Sequence, residues 1–181
     1  MLSCRLSRCA SQPAFLGRAG ERDEWSLGLA LGKFRPGGLT TPDDLALSAH
    51  EDHEAKVYFA DASANFELDH PYALAEGTSP CGVDVGRINV DPKNDIVVAL
   101  WAEEPCSPGG GIGVFVGYGD GTFHEPPYLF CVDPGNSPKP RFVKIADMDQ
   151  DTFNDVVTSN YDGHNISVLI NAFDAIPYGG G

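Results

Sequence analysis

The chain has 181 residues, with 12 Lys and Arg against 26 Asp and Glu, a formal net charge of −14 and 42% apolar residues. This is the length of one domain with enough apolar content for a packed core, so wholesale disorder is excluded, and so acidic a surface argues against nucleic acid as a partner. The 21 Gly and 14 Pro follow no Gly-X-Y period, which excludes collagen and disfavours a helical bundle, and no apolar run approaches the ~18 residues of a membrane-spanning helix.

Residues 1–24 read as an unstructured or targeting-like leader. Arg5, Arg8 and Arg18 are the only charged residues of the first twenty, in a stretch that also contains Ser3, Ser7 and Ser11. That composition fits an organelle transit segment better than a secretory signal, because Gln12 and Pro13 interrupt the one apolar run.

From residue 25 onward the chain repeats itself three times, over 25–79, 80–139 and a shorter 140–181. SLGLALGKF (26–34), PCGVDVGRI (80–88) and PRFVKIADM (140–148) share an alternating apolar pattern that ends in Gly32, Gly86 and Ala146. Each is followed by a polar turn and an Asp that opens a second apolar run: Asp44 in DLALSA, Asp95 in DIVVAL and Asp155 in DVVTSN. A third run follows in each copy, KVYFA, GVFVG and SVLIN. In the first two copies a turn ending in Phe66 or Phe123 comes next. Fourth strands are expected over 72–75 and 128–132, where Pro71 and the pair Pro126 and Pro127 place them at a sheet edge. Short alternating runs separated by Asp, Gly and Asn turns predict antiparallel strands, and a period of 50 to 60 residues with about four strands predicts a propeller blade. A β-sandwich would explain the strands without the period. The expected fold is therefore all-β, with about three four-stranded antiparallel blades of an incomplete β-propeller.

The loop Asp147-Met-Asp-Gln-Asp-Thr-Phe-Asn-Asp155 carries the most specific chemistry. Carboxylates occupy positions 1, 3, 5 and 9, and the position 7 carbonyl belongs to Phe153. Asp147, Asp149, Asp151, Phe153 and Asp155 are thus candidate oxygen ligands for one hard cation, Ca²⁺ by preference. An EF-hand is excluded by Thr158 at position 12 and by strand-like flanks, and Thr152 replaces the position 6 glycine. A solvated acidic hairpin whose Asp side chains cap their own backbone is the competing expectation. Repeat 2 offers a degraded copy: Asn89, Asp91 and Asp95 remain, while Arg87 stands at position 1 and could bond the loop oxygens in place of a metal. Repeat 1 has only Asp43 and Asp44 and is expected to be metal-free.

The motif A-D-x-D-x-D-x-x-x-D-V-V at 146–157, with GVFVGYGDGTF at 113–123, resembles the FG-GAP or VCBS repeats of integrin-α-type β-propellers. The resemblance implies propeller blades, a Ca²⁺-binding loop between the first two strands, packing roles for Phe66 and Phe123, and an extracellular or cell-surface adhesion or interaction module without enzymatic activity. Three blades do not close a propeller, so further blades or self-association are expected. The ligand would be a protein or a glycan. Trp101 and Tyr161 fall in the same loop of successive repeats and are candidates for a sugar- or peptide-binding surface, making a lectin-like propeller the alternative.

Three other features carry weaker signals. His50 and His53 lack the four-residue spacing of H-E-x-x-H, so a solvated loop is the simpler expectation for them. Among Cys4, Cys9, Cys81, Cys106 and Cys131 there is no C-x-x-C, and Cys81, Cys106 and Cys131 could supply one disulfide of unassigned pairing. Asn165-Ile-Ser167 is a sequon with meaning only in a secretory pathway.

Overall fold

The computed structural model describes residues 26–37, 43–63, 65–101, 106, 109–134 and 136–171. The leader and repeat 3 beyond Asn171 lie outside the described residues. Among those described there is no helix, and hence none long and apolar enough to cross a membrane. Eleven strands form three antiparallel sheets, one per repeat. The first contains β1 (Ser26–Gly32), β2 (Asp44–Ala49), β3 (Glu54–Ala60) and β4 (Phe66–Ala73) in that order. The second contains β5 (Pro80–Gly86), β6 (Asp95–Leu100), β7 (Gly111–Phe115) and β8 (Tyr128–Cys131). The third has β9 (Pro140–Ala146), β10 (Asp155–Asn160) and β11 (Asn165–Leu169).

All three are simple up-and-down meanders in which each strand pairs with its sequence neighbour. Corresponding residues occupy corresponding registers: Gly32 faces Asp44, Gly86 faces Asp95, and Ala146 faces Asp155. The sheets stack in sequence order through their first strands, β1 against β5 and β5 against β9. Period-2 alternation sends one face of each sheet to each neighbour. Ala30, Ala46, Ala55 and Val57 of the first sheet meet Val83, Ile96, Val98 and Phe115 of the second in one core. Val97, Ala99, Ile112 and Val114 on its other face meet Val143 and Val156 of the third.

The first strands approach so closely that there is no room for a side chain at two equivalent positions. A Cβ on Gly28 would lie 2.6 Å from the Cys81 carbonyl oxygen, and one on Gly82 would lie 2.7 Å from that of Arg141. The corresponding residue of the third sheet is Phe142, 61% exposed on its outer face beside Ile166 and Val168. At the other end of the stack Leu29 and Leu31 are exposed. Among the described residues, the sheets at the two ends of the stack thus expose large apolar side chains.

One aspartate per repeat ties each sheet together. Both Asp95 oxygens accept backbone N–H groups, from Ile88 at 2.7 Å and Gly117 at 2.9 Å. Asp155 accepts from Met148 at 2.8 Å and Asn171 at 2.9 Å. Asp44 accepts from Phe34 and Ala60, and additionally pairs with Arg35 at 2.7 Å. All three are buried at the start of a second strand, where they satisfy orphan N–H groups left by the first loop and by the end of the third strand. The residue before the aspartate joins neighbouring sheets. Asn94 donates to the Lys33 carbonyl at 3.1 Å, and Asn154 donates to the equivalent Arg87 carbonyl at 2.9 Å.

Phe123 fills the junction of the first two sheets. Its ring meets Phe34 at 5.1 Å and Tyr72 at 5.3 Å edge-on. Its counterpart Phe66 sits half-exposed on the outermost strand of the first sheet. A disulfide joins Cys106 to Cys131, with Cα atoms 5.2 Å apart, and Cys81 is a buried free thiol.

Candidate metal centre and opposite rim

The loop from Asp147 to Asn154 joins β9 to β10 and is built almost wholly from side chain to backbone hydrogen bonds. Asp147 accepts from the N–H of Gln150 at 2.7 Å with one oxygen and of Thr152 at 3.1 Å with the other. Asp149 accepts from Asp151, and Asp151 accepts from Phe153 at 2.8 Å. Gln150 and Thr152 adopt left-handed conformations, with φ of 66° and 80°. For Thr152, at the position where a glycine would relax the turn, this is a strained geometry.

Those turns aim three carboxylates at one point. Asp147, Asp149 and Asp151 each offer an oxygen within 4.8 Å of the others, and all three are exposed. Among the described residues Asp149 and Asp151 each accept through Oδ1 and leave Oδ2 without a hydrogen bond. The set is all hard oxygen donors, which fits Ca²⁺ or a similar divalent cation in chemistry. Asp149 has its pKa raised, first by desolvation and then by the charges of Asp151, Asp155 and Asp147. Ionising it therefore opposes folding of the empty loop, and a bound cation would reverse that sign.

Two nominated ligands stand apart. Asp155 is fully buried, and its oxygens are taken by Met148 and Asn171, so its role in the geometry is that of the sheet tie. Phe153 is half-buried, and its N–H closes the turn onto Asp151. The turns capping their own backbone and the converging carboxylates coexist, so the two expectations for this loop are not exclusive.

The repeat 2 loop has the same skeleton and less charge. Asn89 accepts from the Asp91 N–H at 3.0 Å, and Asp91 accepts from Lys93 at 2.9 Å. Arg87 is exposed and makes no side-chain hydrogen bond or ion pair among the described residues, where it therefore bonds no loop oxygen in place of a metal. Asn89 Nδ2 and Asp91 Oδ2 are buried without partners. Asp95 is committed to Ile88 and Gly117, and burial pushes its pKa up to about 6. Asn89 and Asp91 lie close enough to Asp95 to act on its pKa, Asn89 through a backbone hydrogen bond that lowers it and Asp91 through its charge, which raises it. Among the described residues the one group of three or more metal-type side chains is Asp147, Asp149 and Asp151.

His50 and His53 form no such group. His50 Nδ1 lies 3.0 Å from the Pro80 carbonyl oxygen, and His53 turns the chain with φ of 55°. Cys81, 3.9 Å from His50, has its thiol pushed up to about 11 by burial, which leaves it protonated and unreactive.

At the opposite end of the sheets the structure brings Trp101 and Tyr161 together. Their ring centroids are 5.1 Å apart at 38°. Trp101 follows β6 and Tyr161 follows β10, so equivalent positions of adjacent sheets place them side by side. Arg141, at the start of β9, sets its guanidinium 5.5 Å from the Trp101 centroid and 5.6 Å from that of Tyr161. Lys139 lies over Trp101 at 5.8 Å and pairs with Asp162 at 2.8 Å. Sequence reasoning nominated the two rings and missed both cations. The available signal was a Lys-Pro-Arg segment, 139–141, at the start of a predicted strand that begins a repeat.

Compared with known proteins, the chain matches no family model, and no characterised protein is significantly similar in sequence.

Proposed function

We propose that this chain is a non-enzymatic repeat protein of β-propeller type, whose last acidic loop binds Ca²⁺ and which serves as an extracellular interaction module. The observation that carries this is the convergence of Asp147, Asp149 and Asp151 within 4.8 Å on a loop whose backbone is already held by those same side chains. Preformed turns reduce the ordering cost of binding, leaving mutual repulsion for the cation to relieve. Three consecutive meanders stacked through their first strands support the propeller class, in which further blades would cover the apolar end faces. The Cys106–Cys131 bond is consistent with an oxidising compartment and hence with an extracellular setting.

Calorimetric titration with CaCl₂ tests the metal assignment. One equivalent should bind to the wild-type chain and none to the Asp149→Asn/Asp151→Asn variant. Identical heats for the two proteins would refute it.

A lectin-like role is the second reading, and the Trp101–Tyr161 pair favours it, because two adjoining rings on a sheet rim form a shelf for the apolar face of a sugar.

A further inference from the structure

We infer that the rim formed by Trp101, Tyr161 and Arg141 binds an acidic saccharide, with the rings taking the C–H face of a uronic-acid pyranose and the guanidinium taking its carboxylate. This deepens the lectin-like reading and is independent of the cation loop, which lies at the other end of the sheets.

Arg141 is distinguished among the described cations that lack an ion pair by its place against two aromatic rings. In a protein of net charge −14, the described cations near acids have found them: Lys33 pairs with Asp43, Arg35 with Asp44, Lys56 with Asp52, Lys139 with Asp162, and Lys144 with Asp84. Arg141 has no carboxylate partner among the described residues, and its only contacts as a cation are with the two rings. It is half-buried, which removes part of its hydration without replacing it by protein oxygens. A planar fork of N–H donors in that state is matched by a carboxylate, which it can meet with two parallel hydrogen bonds.

The rings define what else the ligand must carry. Tyr161 is 56% exposed and Trp101 half-buried, so the pair presents apolar surface to solvent within 6 Å of the cation. A hexuronate has an apolar C–H face and a carboxylate on the adjoining ring carbon, so one monosaccharide spans both features. An acidic peptide would satisfy Arg141 but has no rigid apolar face fixed at that distance from its carboxylate. A neutral hexose would satisfy the rings and leave the guanidinium unpaired, and discrimination against it follows from that loss. Lys139, held by Asp162 beside the same ring, adds positive potential without competing for the fork.

The experiment is an NMR titration of the full chain with methyl glucuronide, methyl glucoside and a Glu-rich peptide, following the Trp101 indole N–H. Glucuronide should give a saturable shift, and glucoside should bind at least about tenfold more weakly, roughly the loss of one charge-assisted hydrogen bond. The glucuronide response should be lost in Arg141→Gln, reduced in Arg141→Lys and Tyr161→Ala, and weakened by about 0.5 M NaCl. Because the Arg141 side chain makes no hydrogen bond among the described residues, these variants should keep the wild-type amide spectrum away from the rim. Equal binding of glucoside, an Arg141→Gln response matching wild type, no saturable shift with glucuronide, or a response to the peptide alone would each overturn the assignment. Ca²⁺ titration of the same samples reports on the other loop, so failure at one end is distinguishable from failure at the other.

Discussion

The loops at 87–94 and 147–154 are two copies of one backbone device with different electrical content. In both, an Asx side chain at position 3 accepts from the N–H at position 5, and the Asp at position 5 accepts from the N–H at position 7. In both, the Asp at position 9 is buried and pulls in the N–H that follows position 1. The difference lies at position 1. Asp147 gathers the Gln150 and Thr152 N–H groups and curls the loop, whereas Arg87 points to solvent. The loop's shape therefore does not need the metal-type ligands, and its charge does not dictate the shape. Backbone shape and carboxylate content are separable properties of this loop.

The largest test of that separation removes the shared part. Asp95→Ala and Asp155→Ala each orphan two backbone N–H groups, and each should cost about 2–4 kcal/mol of stability in urea denaturation. A loss below about 1 kcal/mol in either would show that the tie is not common to both repeats. Next in size is the part they do not share. Saturating Ca²⁺, at about 100 times its dissociation constant, should stabilise the wild-type chain by about 2.7 kcal/mol. Asp151→Asn should abolish that gain, while Asp91→Asn should leave it intact. Coincident melting curves with chelator and with Ca²⁺ would remove the cation site from the comparison.

Asp95 supplies a smaller, pH-resolved effect. Its pKa rises from 3.8 to about 6 on folding because burial penalises the charged form. Between those values the folded state binds more protons than the unfolded state, so this contribution is fully present below pH 3.8 and is lost as the pH rises through about 6. The stability difference between wild type and Asp95→Asn should therefore shift in favour of wild type as the pH falls from 7 to 4, by up to about 1.4 kcal/mol per unit of pKa difference. A gap independent of pH would contradict it. The smallest effect is at Thr152. Replacing it with Gly at φ of 80° should stabilise the folded loop by about 1 kcal/mol, and no change in melting temperature would mean that the strain is relieved elsewhere.

Much of the architecture was legible along the chain. The runs opened by Asp44, Asp95 and Asp155 are β2, β6 and β10 with the same ends, because alternation and turn chemistry are local properties. Asp155 shows what local reading leaves out. Spacing makes it a candidate fifth ligand, and burial gives it the further role of tie. Its counterparts Asp44 and Asp95 held the clue, since an aspartate that persists in loops without the other acids must have other work. The inter-sheet bonds of Asn94 and Asn154 and the pairing of Cys106 with Cys131 were not legible, since each joins segments whose proximity depends on how strands stack.

Residue order alone determined the strands, their period and the concentration of carboxylates in one loop, since these depend on side-chain type at short spacing. Only the stacking of the sheets decided that Arg141 would stand beside both Trp101 and Tyr161, that Asp155 would face inward and Asp147 outward, and that Leu29 and Phe142 would be exposed. Those outcomes arise from contacts between repeats, where close approach at Gly28 and Gly82 sets the neighbours that each side chain meets.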